Sequence, residues 1–127
     1  MEAFTTTDSF RAAFDAQVAS GNKFIAIMTG SIDEATNESW CSDCVEAKPS
    51  IDRVIEACNA GNRKVIKGIV TRDEWSGNAA HVFRQPPFGA QGVPTMILYE
   101  GSNALYKVDE LEAFADSDQM DMFLDEL

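Results

Sequence analysis

Short apolar runs alternate along this chain with stretches whose apolar residues recur at helical spacing. Such alternation folds as strands of one sheet with helices on its faces. Phe24-Ile25-Ala26-Ile27-Met28 reads as a buried strand, and Lys64 to Val70 as a second. Ahead of the first, Phe10, Phe14 and Val18 predict a short amphipathic helix that Ser20-Gly21-Asn22 stops. Between the strands, Ile51, Val54, Ile55 and Cys58 form one helical stripe ending near Asn59-Ala60-Gly61, and Pro49 should kink that helix. Gly30 to Ser39 reads as a polar loop, Arg72 to Gln85 as a loop with some helix, and Pro86-Pro87-Phe88-Gly89 as a break. Thr95 to Tyr99 and Ala104 to Val108 predict an antiparallel hairpin. Met120, Phe123, Leu124 and Leu127 give a last helix, capped by Asp116 or Ser117. The expected fold class is α/β, a central mixed sheet flanked by helices.

A length of 127 residues suits one core, so residues 1–127 are expected to form a single domain. With 21 acidic against 10 basic side chains the formal charge is −11, a field that repels phosphate backbones and anionic lipid. Neither nucleic acid nor a membrane is an expected partner. Met1 to Ser9 carries no basic flank and no apolar run, so the expected location is the cytoplasm, with the chain acting as a monomer.

Cys41, Cys44 and Cys58 are too few for the disulfide framework of a small secreted domain, and Cys-x-x-Cys in a reducing compartment points to metal binding or redox chemistry. A zinc site would need four ligands, for which Cys41, Cys44, Cys58 and His81 are available. On one helix, however, Cys44 and Cys58 stand 14 residues apart, or ~21 Å at a rise of ~1.5 Å per residue. That separation excludes both a shared zinc and a Cys44–Cys58 disulfide. The redox reading has a mechanism: Cys41 at a helix N-terminus faces unpaired N–H groups that favour its thiolate, and Cys44 lies within one turn of it.

Trp40-Cys41-Ser42-Asp43-Cys44, Lys48-Pro49 and the later Val93-Pro94-Thr95 resemble the thioredoxin superfamily. With Thr29-Gly30-Ser31 opening the loop before the cysteines and Trp75 in the later loop, the chain is most similar to the thioredoxin domain-containing protein 17 family. The resemblance implies a thioredoxin fold and reduction of small-molecule or protein disulfides, with Cys41 as nucleophile and Cys44 as resolving thiol. It further implies re-reduction by a thioredoxin reductase-type donor, and no cofactor or metal of the chain's own. It implies that Pro94 is cis, that the Val93 backbone pairs with the substrate as an added strand, and that Trp40 forms part of the substrate platform. A trans proline opening an edge strand is the plainer reading of Pro94. Two departures stand out: Ser42 replaces the family's proline, and Phe24 to Met28 offers no carboxylate as a base for Cys44, leaving Asp43, Glu38 or water.

Asp43 is expected to tune Cys41 upward through its charge, against a larger downward pull of the helix N-terminus. The net expectation for Cys41 is a pKa of about 6.5–8, below the free value of ~8.5. Cys58 reads as a small buried hydrophobe, His81 as a surface or loop residue, Trp75 as either packing or function, and Asp109 to Glu126 as a solvated face. A redox-sensitive binding module with little turnover is the competing function. A glutathione-using enzyme ranks lower, because Glu100-Gly101-Ser102 stands where its Gly-Gly pair would be.

Overall fold

The computed structural model describes residues 1–127. The elements follow in the order β1 (Glu2–Phe4), α1 (Thr7–Ser20), β2 (Lys23–Gly30), β3 (Ile32–Asp33), β4 (Glu38–Ser39), α2 (Ser42–Ala60), β5 (Lys64–Val70) and α3 (Arg72–Trp75). A 3-10 turn (Val82–Arg84), β6 (Thr95–Glu100), β7 (Asn103–Val108), α4 (Leu111–Ala115) and α5 (Ser117–Asp125) complete the chain. Five strands make one mixed sheet in the order β1-β5-β2-β6-β7. β1 and β2 run parallel to β5, while β6 is antiparallel to both β2 and β7. Parallel β2 and β5 require a crossover, which α2 supplies. The α/β class, the central strands and the closing hairpin are those expected from sequence.

Alternation along β2 sends Phe24, Ala26 and Met28 to one face and Ile25 and Ile27 to the other. The first face is covered by Phe10 and Phe14 of α1 with Phe83 and Phe88, the second by Ile51, Val54 and Cys58 of α2 with Phe114, Met120 and Phe123. A strand buried on both sides is uniformly apolar, hence the unbroken run in the sequence. Each large side chain so buried stabilises the fold by about 1.5–3 kcal/mol. Gly68 lets the aromatic layer reach the sheet, since a Cβ there would stand 2.5 Å from Phe83 Cζ and 3.0 Å from Phe10 Cδ2. Thr6 caps α1 by accepting from Ser9 N–H, and Gly21 closes it in the left-handed region at φ 72°.

The structure departs from expectation in short elements. β1 offers only Ala3 and Phe4 as apolar residues, yet it pairs with the outer edge of β5, where Glu2 meets Lys64 and Phe4 packs edge-on to Phe10. Within the expected polar loop Gly30 to Ser39, β3 and β4 form a small hairpin, its turn closed by Asn37 N–H donating to Asp33 O at 2.7 Å. α4 precedes the expected last helix, whose cap is Asp116. His81 is not a surface residue: it is 6% exposed, its Nδ1 accepts from Phe83 N–H at 3.0 Å, and its ring meets Trp75 and Phe83 edge-on. Burial lowers its pKa. Trp75 packs in the core with the Arg84 guanidinium 3.7 Å over its ring.

Candidate active site

The parallel strands β2 and β5 end at the same side of the sheet, and α2 begins there. Cys41 is the N-cap of α2: its backbone is extended (φ −93°, ψ 111°) and its Sγ accepts the N–H of Cys44 at 3.2 Å. A sulfur thus takes the capping role usually filled by a serine or aspartate oxygen. The same Sγ donates to Val93 O at 3.3 Å, which ties the helix start to the segment before Pro94. Cys44 lies one turn on, and its Sγ accepts from Gly30 N–H at 3.4 Å. Two backbone donors, Cys44 N–H in the first turn of α2 and Gly30 N–H at the end of β2, are therefore spent on the two sulfurs. Both thiols are free and nearly covered, Cys41 8% and Cys44 5% exposed.

The β3–β4 hairpin is fastened to this site. Ser39 Oγ donates to Gly30 O at 3.1 Å and accepts from Cys41 N–H at 3.2 Å. Gly30 must lack a side chain, because a Cβ would stand 2.8 Å from Ser39 Oγ, 2.9 Å from Trp40 Cε2 and 3.0 Å from Cys41 Cβ. The half-buried Trp40 is anchored at the end of β5, where Val70 O accepts from Trp40 Nε1 at 3.0 Å and from Ser31 N–H at 2.8 Å. Arg72 lies over the Trp40 ring, 5.8 Å from its centroid, and its Nη2 donates to Trp40 O at 3.4 Å. Val93 and Pro94 are buried, the peptide between them is cis, and Thr95 Oγ1 donates to Gly92 O at 2.7 Å. Asp43 is exposed in the first turn of α2.

The thiol electrostatics differ from expectation. Burial pushes Cys41 up to about 12, aided by the adjoining Cys44 side chain and, last, by the Asp43 charge, against a downward pull from the Cys44 N–H. The expected lowering below 8.5 does not hold in this closed geometry. A covered sulfur that gives its proton to a carbonyl is held as the thiol. Cys58, fully buried at the other end of α2, is raised to about 11 by burial and stands apart from the pair. No three His, Cys, Asp or Glu side chains are grouped so as to hold a metal ion.

Of the residues singled out from sequence, Cys41, Cys44, Trp40, Asp43, Val93 and Pro94 converge on this end of the sheet. Sequence reasoning missed Ser39 and Arg72, and it read Gly30 only as part of the Thr29-Gly30-Ser31 loop opening. Arg72 had a signal, since Thr71-Arg72-Asp73-Glu74 is a capping box that starts α3 directly after β5. Gly30 acts through close approach and Ser39 through backbone bonding, contacts that the sequence itself does not display.

A family model for the "Thioredoxin domain-containing protein 17-like, thioredoxin domain" matches residues 5–126. The chain is 30% identical over 117 residues to a thioredoxin-like protein Clot of Oryza sativa subsp. japonica, spanning 85% of this chain and 84% of that protein. A thioredoxin-like protein Clot of Arabidopsis thaliana is 29% identical over 82 residues, 64% of this chain and 60% of the relative. Among solved structures, thioredoxin NaTrxh from Nicotiana alata superposes with a TM-score of 0.63 at 18% identity, covering 98% of this chain and 90% of that one. Thioredoxin O2 from Arabidopsis thaliana, in its oxidized state, gives 0.62 at 17% identity over 99% and 92%. The two structures share the fold, and the match across residues 5–126 places the chain in the thioredoxin domain-containing protein 17-like family of thioredoxin domains.

Proposed function

We propose that residues 1–127 act as one thioredoxin-like domain, a cytoplasmic thiol–disulfide oxidoreductase that reduces small-molecule or protein disulfides. It works as a monomer and is re-reduced by a thioredoxin reductase-type dithiol donor. The observation that carries the reading is the position of Cys41 at the N-cap of α2, with its sulfur between Cys44 N–H and Val93 O. The Cys41 thiolate attacks one sulfur of the substrate disulfide, forming a mixed disulfide and releasing one substrate thiolate. Cys44, once deprotonated, attacks the Cys41 sulfur, forming the Cys41–Cys44 disulfide and releasing the second thiolate. Two electrons pass to the substrate, and the donor returns two. Trp40 and Pro94 flank the docking position.

Val93 O supplies a link between docking and activation. In the free protein it holds the Cys41 proton. A substrate strand that donates its own N–H to Val93 O displaces that bond, removing the acceptor that favours the neutral thiol. Docking so removes one contact that favours the neutral thiol, while burial, the main cause of the raised pKa, remains.

The coverage of both thiols favours one other reading, a redox-sensitive binding module with little turnover. The two are separated by following NADPH oxidation with a thioredoxin reductase, a protein disulfide and catalytic amounts of this chain. Many turnovers per chain are expected. Consumption that stops at one equivalent, together with tight partner binding that survives Cys41→Ser, would establish the module instead.

A further inference from the structure

A cavity of about 200 Å³ opens between the first half of α2, the β3–β4 hairpin and β5. Cys44 lines it and Cys41 does not. Alternation along β5 places Lys67 and Ile69 on the same face as Val65, which packs with Ile25 and Ile27 of β2. This face is core over most of its area, and a cation there is out of place unless it is paired. Lys67 is half-buried and takes part in none of the ion pairs of the fold. Its register partner on β2 is Ile27, which offers no charge.

The aliphatic part of the cavity wall comes from Ile32, Val45, Ile51 and Ile69, while Thr29, Ser31, Asn37 and Ser39 line it with uncharged polar groups. Three other charged groups face it. Lys48 and Asp52 neutralise one another across one turn of α2, and Glu38 on the hairpin is exposed to solvent. Of the two lining charges without an ion-pair partner, Glu38 and Lys67, Lys67 is the more covered. Apolar cavities of about 150 Å³ accommodate a benzene-sized molecule, so this one has room for a ligand of roughly five to eight heavy atoms.

We propose that this cavity binds a small aliphatic carboxylate, with its hydrocarbon body against the isoleucines and its carboxylate on Lys67. The bound anion supplies the counter-charge that β2 lacks. It also lies against Cys44 from the cavity, so it reaches the thiol assigned to resolution without entering the Cys41–Val93 docking position.

Isovalerate, isovaleramide and isopentylamine make a matched probe set with one hydrocarbon body and three head groups. Each is titrated into the millimolar range against the reduced full chain, with binding read by amide chemical shifts. The expected result is saturable shifts with isovalerate at Gly30, Cys44 and Ile69, with the amide weaker by about tenfold, the weight of one charge-assisted hydrogen bond. Lys67→Arg should keep the preference for the acid, and Lys67→Met should abolish it while leaving a native spectrum. Equal binding of acid and amide, tighter binding of the amine, or no saturable shift with isovalerate would each overturn the proposal. Shifts that saturate at residues outside the cavity walls would overturn it as well. The readout involves no electron transfer, so its outcome is separate from that of the turnover assay.

Discussion

Asp43 sits two residues beyond Cys41, close enough for its charge to act on the sulfur and exposed enough for water to weaken that action. Asp43→Asn is therefore expected to lower the Cys41 pKa by no more than about one unit. Because burial is the larger cause, the variant should still titrate above the ordinary thiol value of 9.0. Thiolate absorbance followed against pH measures both statements, and an unchanged or raised pKa would mean that Asp43 does not act as a repelling charge. The Cys-x-x-Cys pair was legible in the sequence because side-chain chemistry at fixed spacing is what a sequence displays, whereas Trp40, Val93 and Pro94 were singled out through the family resemblance. The direction of the Cys41 shift was not legible. It depends on how completely the sulfur is covered and on how the Cys44 side chain meets it, neither of which a sequence displays.

At the scale of elements, the segment from α3 to β6 has little regular structure, and Arg84 makes three of the side-chain bonds that hold it. Arg84 stacks on Trp75 and donates to the carbonyls of Asn78 (3.0 Å), Gln91 (3.1 Å) and Trp75 (3.2 Å). Gln91 is two residues from Val93, so this anchor helps fix the backbone that faces Cys41. Arg84→Met keeps the length of the stem and removes the donors. A loss of about 1.5–3 kcal/mol is expected, the usual weight of hydrogen bonds to a charged group. The midpoint of urea unfolding at constant slope measures it, and a change within ~0.5 kcal/mol would show that the segment holds without Arg84. From sequence this region reads as loop with some helix, since Arg84 acts through contacts with scattered carbonyls. β1 and the β3–β4 hairpin escaped notice for a different reason: they are too short to show a period, and they exist because β5 and Gly30 present them with partners. Long apolar strands and α2 were legible because their patterns repeat over several turns or alternations.

Over the whole molecule, buried titratable groups set the pH range of stability. Cys41, Cys58 and Tyr99 are raised by burial, to about 12, about 11 and about 12 respectively. Tyr99 donates its hydroxyl to Pro87 O at 3.2 Å. These groups ionise in the unfolded chain from 9.0 to 10.0 upward while the folded chain still holds their protons. The unfolded state then binds fewer protons, so stability is full below pH 9.0 and falls as pH rises. The slope approaches about 1.4 kcal/mol per pH unit for each group. His81 acts on the acid side: its folded pKa is lowered, so the unfolded chain takes up a proton below 6.5 that the folded chain resists. Unfolding midpoints in urea should be highest between about pH 6.5 and about pH 9 and lower on both sides, and stability that persists unchanged to about pH 11 would contradict the burial of these groups. The division of labour between the two cysteines is tested most directly by trapping. Cys44→Ser and Cys41→Ser are each incubated with a disulfide substrate, and the products are mapped by mass spectrometry. The expected result is a covalent mixed disulfide through Cys41 in Cys44→Ser and no adduct in Cys41→Ser. An adduct on Cys44 in Cys41→Ser with none in Cys44→Ser would reverse the assignment, and turnover by both variants at the wild-type rate would contradict a dithiol mechanism.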